Sequence, residues 1–294
     1  KFSDFIDNIL GFQNEKKRRF VFRGVCNADW PLQSSLWRLA EDVRPGEGLE
    51  AVSESGVAFL EKIILREAVE WSLPNQIAGG WSSVLSVFAT MQHYGIPTRL
   101  IDVTTSIYVA LWFAAQGDPN HDMRIFAIDV TELRTGDVVS DMLPSAFLKS
   151  TQPWDEISGS EWVNGRMFMR PPSVSSRIEA QKAAFILGSV PRSGEISNGV
   201  DAMNDGQAGE CGGKGSGESK NTHKWEVPYS VPGFKRYSSI PLRFVPWSEI
   251  AKVMHGSAGD SNLECHSWDT YVLRVPGRLK GDVLNVLDIQ HGIS

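Results

Sequence analysis

The sequence predicts an α+β domain. Helical patterns crowd the first part of the chain, strand patterns dominate the rest, and the regular strand-helix-strand alternation of a doubly wound sheet is missing. The expected architecture is an N-terminal helical half packed on a mostly antiparallel or split sheet. With 294 residues and 41% hydrophobic content there is enough apolar material for one buried core, so a single domain over 1–294 is the simplest organisation.

From Arg19 the run RFVFRGVCN mixes aromatic and β-branched residues and ends at a turn-prone Asn27, which predicts a strand centred on Arg23. Residues 47–73 place Val57, Leu60, Ile64 and Val69 at near-helical spacing, and Pro74 closes the helix. A second helix is expected over 81–93, with Val84, Val87, Phe88 and Met91 on one face and Gly95 and Pro97 stopping it. The third, over 105–116, is built on IYVALWFAA, which has no polar face for water and should be the central buried helix, capped by Thr104, Thr105 or Ser106. Strands are expected at 123–130, 183–188, 238–246 and 270–277. The stretch 192–224, rich in Gly, Ser, Asn and charge, reads as a flexible loop. Its GGKGSGESK lacks the spacing and the leading strand of a phosphate loop.

A formal charge of −6 argues against a broad polyanion-binding surface, though it leaves room for a local basic pocket. The densest basic run, EKKRRF at 15–20, is expected at a solvated strand edge. Cys26, Cys211 and Cys265 are widely spaced and suggest neither a disulfide framework nor a metal site. With no run of the roughly 18 apolar residues that a membrane span needs and no signal-peptide core, the expectation is a cytoplasmic protein without a membrane partner. Ten tryptophans and fourteen phenylalanines are more than a generic core needs, so some are expected to line a groove or stack on a planar ligand.

Three constellations could carry chemistry. Arg23 lies in an apolar strand beside Gly24: it needs an anionic or carbonyl partner, a ligand phosphate or an internal salt bridge, and the glycine allows a ligand or another backbone to approach. In QHYGIPTRLIDVTTS, at 92–106, polar residues crowd the junction between two helices, where backbone N–H groups favour anions. Arg99 and Asp102 could pin the junction by pairing with each other or with turn carbonyls, and His93 could cap carbonyls or act as a base. In SRIEAQKAAFIL, at 176–187, Arg177, Glu179 and Gln181 share a face if the segment is extended; Glu179 and Gln181 could then grip ribose hydroxyls, or simply form a polar strand entry.

Together FRG at 22–24, QHYGIPTRLIDVTTSIYVALWFAA at 92–115 and RIEAQKAAF at 177–185 resemble the FRG domain family, in a match of order and content extending over roughly 18–290. Val103 stands where that family commonly has Trp and Ala183 where it has Gly, and Glu179 falls at a variable position. The resemblance implies a bacterial or phage-associated protein and, by analogy, an ADP-ribosyltransferase-like fold that consumes NAD as a toxin or anti-phage defence effector. Under that reading Arg23 holds a phosphate of NAD, Tyr94 or Trp30 offers an aromatic face, and His93, Thr98 and Arg99 hold the dinucleotide. Gln33, Ser35, Gln92, Arg177 and Gln181 complete the binding set. The acid is Glu179 or Asp102, stabilising the cation formed as nicotinamide leaves. The acceptor is a macromolecule, with protein favoured by the acidic surface, and an antitoxin or regulatory partner is implied. The rival readings are a non-catalytic nucleotide-sensing or interaction module, and a hydrolase pairing Asp102 with His93.

Overall fold

The computed structural model describes residues 6–7, 10–11, 13, 18–43, 54–70, 84–131, 168–170, 179–188, 224–226, 237–244 and 268–291. Arg177, Cys211, Cys265 and residues 192–223 lie outside the described residues, while Lys224 begins a strand.

Eight strands form one sheet: β1 (Phe20–Val25), β2 (Leu100–Thr104), β3 (Met123–Asp129), β4 (Phe168–Met169), β5 (Ala183–Leu187), β6 (Lys224–Glu226), β7 (Tyr237–Phe244) and β8 (Trp268–Val275). Their order is β4-β5-β2-β1-β3-β8-β7-β6. The pairs are antiparallel except β7 with β8. The fold is thus α+β on a mostly antiparallel sheet, as the element pattern predicts. The helices are α1 (Ser35–Val43), α2 (Glu54–Glu70), α3 (Val84–His93), α4 (Ile107–Ala115) and α5 (Lys280–His291).

Side-chain alternation along the strands makes two apolar faces. Phe20 and Phe22 of β1, with Met123, Ile125 and Ala127 of β3, pack on α4, and α5 covers α4 through Val283 and Leu287. Val21 and Val25, with Ile101, Val103, Phe126 and Ile128, form the core of the opposite face. Phe22 and Phe126 are fully buried; each contributes about 1.5–3 kcal/mol relative to an exposed side chain. α2 and α3 cluster on Leu100, Phe185 and Leu187 at the β2–β5 side.

The apolar helix at 107–115 takes the central position expected of it, and the glycine of FRG explains how closely it sits. A Cβ at Gly24 would lie 1.8 Å from the Ala110 carbonyl oxygen, so α4 rests directly on the backbone of β1. Of the two uses foreseen for this glycine, the structure shows the approach of another backbone.

Four features differ from expectation. The polar junction after the Gly95 turn contains a strand, β2, rather than leading straight into a helix. α2 buries Val57, Ala58, Glu61, Leu65 and Ala68 while Leu60 is exposed, because a charged residue occupies its inner face. β1 is an interior strand between β2 and β3, so Arg18 and Arg19, the described part of the basic run, lead into no sheet edge: Arg18 pairs with Asp129 at 2.6 Å, and Arg19 donates to the carbonyls of Val130 and Thr131. Finally, α1 and α5 had no counterpart among the expected elements. α1 is preceded by Ser34, whose Oγ accepts the Trp37 N–H at 3.1 Å as an N-cap.

Candidate functional site

The strand β1 is held unequally by its two neighbours. It shares six register pairs with β3 but one with β2, Phe22↔Thr104. Beyond that pair β1 and β2 part, and a cleft of roughly 480 Å³ opens at the parting. Its walls come from β1, the segment leading into α1, the end of α3, β2 and the turn before β5.

Arg23 spans the opening. Its Nη1 donates to the Asp102 backbone carbonyl at 2.8 Å and lies 3.5 Å from Asp102 Oδ2. Here a side chain does what a strand ladder does elsewhere, satisfying a carbonyl where the ladder has stopped. Asp102 is also held from the other side, since Gln92 Nε2 donates to Oδ1 at 2.7 Å. The amide orientation of Gln92 follows from its neighbour. Thr98 Oγ1 accepts the Leu100 N–H at 3.1 Å, so its own proton goes to Gln92 Oε1 and the NH2 group is left facing Asp102. Asp102 remains 57% exposed, with free lone pairs toward the cleft.

The end of α3 is fixed by a Schellman closure: Ile96 N–H donates to the Met91 carbonyl at 3.0 Å and Gly95 N–H to Gln92 at 2.9 Å, with Gly95 at φ +83°. This closure sets Gln92 and His93 at the cleft and turns Tyr94 outward. On the β5 side, Lys182 at φ 45° makes the turn that presents Gln181, whose carbonyl accepts Thr104 Oγ1 at 2.8 Å. The same Thr104 oxygen accepts the Ser106 N–H at 3.1 Å, so Thr104 serves the start of α4 while Ser106, at the N-cap, makes no side-chain cap bond.

The cleft therefore brings together Arg23, Gln33, Gln92, His93, Asp102 and Gln181, with Trp30 at its rim. Five other candidates do not line it. Arg99 is buried, its Nε 2.5 Å from Glu61 Oε1 and its Nη2 2.7 Å from Glu61 Oε2. It pins the junction to α2 through an acid 38 residues upstream instead of holding a dinucleotide or pairing with Asp102. Thr98 is fully buried, and its backbone is clasped by Ser35 Oγ, which donates to its carbonyl at 3.1 Å and accepts its N–H at 3.0 Å. Thr98 and Ser35 thus dock α1 rather than face a ligand. Tyr94 is 71% exposed and meets His93 edge-on at 5.5 Å. Glu179 is exposed on the turn before β5, where its carbonyl accepts the Lys182 N–H at 3.0 Å.

Arg38, Cys26 and Phe113 line the cleft without having been singled out in the sequence. The signal for Arg38 was present: in SLWRLAEDV, Leu36 and Trp37 are buried and Arg38 falls on the outer face. Phe113 is the residue of α4 that turns away from the core, at 37% exposure. Val103, in place of the family's Trp, is buried in the sheet core, and Ala183 lines the cleft where the family has Gly.

Behind this wall, the segment 274–280 clamps the loop between α4 and β3. Asp122 accepts the Gly277 N–H at 3.1 Å and Arg274 Nε at 2.9 Å, and these bonds hold its carboxyl below the ordinary range. Asp118 is lowered too, chiefly by the Asn120 N–H. Lys280, 3% exposed, donates to the carbonyls of Cys26 at 2.8 Å and Asp118 at 2.7 Å. Among the described residues no helix is long and apolar enough to cross a membrane.

No curated protein and no solved structure is significantly similar to the chain. The FRG domain model, by contrast, matches residues 18–123, a range that contains the FRG tripeptide, the QHYGIPTRLID segment and α4, whereas RIEAQKAAF lies beyond it. The wall that carries Arg23, Gln92 and Asp102 is thus the matched segment, and residues 18–123 match the FRG domain, the family that the sequence motifs resemble.

Proposed function

We propose that the cleft binds NAD and that the protein transfers its ADP-ribosyl group to a macromolecular acceptor. The observation that carries this reading is the juxtaposition in one cleft of guanidinium groups, a carboxylate, three glutamine side chains and an exposed tryptophan, in a chain of net charge −6. Cationic donors suit a diphosphate, amides and a carboxylate suit ribose hydroxyls, and indole offers a face for a base. In the reaction the bond from ribose C1′ to the nicotinamide nitrogen breaks, and its electron pair leaves with nicotinamide. The acceptor then supplies the pair for the new bond and releases a proton. Asp102, held by Gln92 and Arg23, is the carboxylate placed to stabilise the ribosyl cation between those events. Within the same reading the acceptor is a protein or nucleic acid in the cytoplasm, the activity is that of a toxin or defence effector, and a partner restrains it.

A module that binds the nucleotide without turnover is the second reading, supported by the bonds that already occupy Asp102 and by Glu179 lying away from the cleft lining. The hydrolase reading has less behind it, because the polar partners of the Asp102 side chain are Gln92 and Arg23, not His93.

The test is nicotinamide release from NAD by the purified protein, with Asp102→Asn beside it. Transferase chemistry predicts turnover that falls by about a hundredfold or more in the variant, the scale seen when a preorganised electrostatic group is removed. Saturable NAD binding without release selects the module. Loss in Glu179→Ala with Asp102→Asn active relocates the acid.

A further inference from the structure

We propose that Arg38, and not Arg23, is the residue that takes the phosphate of the bound ligand; the inference rests on the reading of the cleft as a nucleotide site and adds to it the placement of the anion. The two cleft arginines differ in what they already hold. Arg23 donates from Nη1 to the Asp102 carbonyl at 2.8 Å and has the Asp102 carboxylate 3.5 Å away. A phosphate arriving there would find Nη1 already engaged and would place its charge beside a carboxylate, and both weaken binding at that position.

Among the described residues Arg38 carries no such commitment: it is exposed at the cleft, and its side chain makes no hydrogen bond or ion pair with any of them. Its base is firm all the same. The first turn of α1 is capped by Ser34, its backbone is docked on Thr98, and the Arg38 N–H donates to the Ser34 carbonyl at 3.1 Å. Charge accounting agrees: the lining has two guanidiniums and one carboxylate, and once Arg23 is set against Asp102 the remaining positive charge is Arg38. Trp30, 45% exposed, lines the same cleft from the segment between β1 and α1. A guanidinium and an exposed indole lining one cleft are a recognition pair for a phosphate attached to an aromatic base. The ligand class is a nucleoside diphosphate ester, with its phosphates toward α1 and its ribose toward Asp102.

Calorimetric titration of the full chain with ADP-ribose, inorganic pyrophosphate and phosphate-free nicotinamide riboside, in wild type, Arg38→Gln and Arg23→Gln, tests this. Arg38→Gln should weaken ADP-ribose and pyrophosphate by about tenfold or more, the usual worth of a charge-assisted hydrogen bond, and leave the riboside unchanged. Arg23→Gln, shown by its thermal melt to be folded, should weaken pyrophosphate less than Arg38→Gln does. Unchanged ADP-ribose affinity in Arg38→Gln overturns the inference and leaves the nucleotide reading standing. Pyrophosphate binding that depends on Arg38, without binding of ADP-ribose or NAD, overturns the nucleotide reading and keeps the anion site. If Arg23→Gln is folded and is the variant that loses pyrophosphate, the assignment is reversed.

Discussion

The two sides of β1 make opposite uses of the same six residues. Toward β3 the strand is zipped through six register pairs, and on one face Gly24 lets α4 sit against its backbone. Toward β2 there is one pair, and the gap beyond it is bridged by an arginine side chain instead of a ladder. The tripeptide Phe22-Arg23-Gly24 therefore serves two ends: the phenylalanine and glycine build the closed seam, and the arginine holds the open one. A site can be cut into the middle of a sheet, without using an edge, when a polar side chain takes over the hydrogen bonds that a neighbouring strand has given up.

The sharpest way to break this contrast is to remove what holds the far wall. Glu61→Ala should cost about 3–5 kcal/mol in urea unfolding because it leaves the Arg99 guanidinium buried without its carboxylate, whereas replacing both residues with apolar side chains should recover much of the loss. Gly24→Ala attacks the closed seam. Its methyl group meets a backbone carbonyl rather than a yielding side chain, so a loss of about 1–3 kcal/mol or more is expected in the same measurement. The open seam should respond chiefly in activity. Gln92→Leu frees Asp102 from one of its two holds, so nicotinamide release should fall about tenfold or more, while the buried Thr98 hydroxyl loses its acceptor at a cost of about 1–3 kcal/mol in urea unfolding. Restoration by Gln92→Asn would show that the amide contact needs no fixed length and would weaken the positioning argument.

How much of this could be read from the residues depends on the range over which their partners act. Strands β1, β3, β5, β7 and β8 and helices α2, α3 and α4 follow from local pattern, because apolar periodicity and the Gly95–Pro97 stop are visible within one window. β2 was hidden because its five residues carry Asp102 in the centre, which breaks the apolar run at the point where the strand faces the cleft. The inner face of α2 was displaced for a related reason: Glu61 is fully buried only because Arg99 arrives from 38 residues downstream, and no helical pattern encodes that partner. The same limit applies to the candidate site. Arg23, Gln92, His93, Asp102 and Gln181 were selected by residue type and do converge. Arg99, Thr98 and Ser35 have equally suggestive chemistry and face inward, a distinction that depends on which side of a turn each side chain leaves.

Two smaller effects sharpen the comparison further. Asp122 is held below its ordinary value of 3.8, mainly by the Gly277 N–H and then by Arg274. Because its folded-state value lies below its unfolded one, its contribution is fully present above about pH 4 and is lost as the pH falls through the depressed value. Asp122→Asn should therefore remove part of the acid-side slope in a series of unfolding curves and leave the cleft's affinities at neutral pH nearly unchanged. The smallest effect is expected from Tyr94→Ala: with the side chain 71% exposed and off the cleft, stability should stay within about 0.5 kcal/mol and ligand affinity should not move.

The buried ammonium of Lys280 has a consequence for how the molecule is made. The carbonyl of Cys26, at the end of the strand that forms the cleft wall, receives its donor from a residue 254 positions later. During synthesis that carbonyl must stay without this donor until Lys280 has left the ribosome. A nascent chain halted before residue 280 would present the Cys26 carbonyl to water, with the rear of the cleft wall still wet.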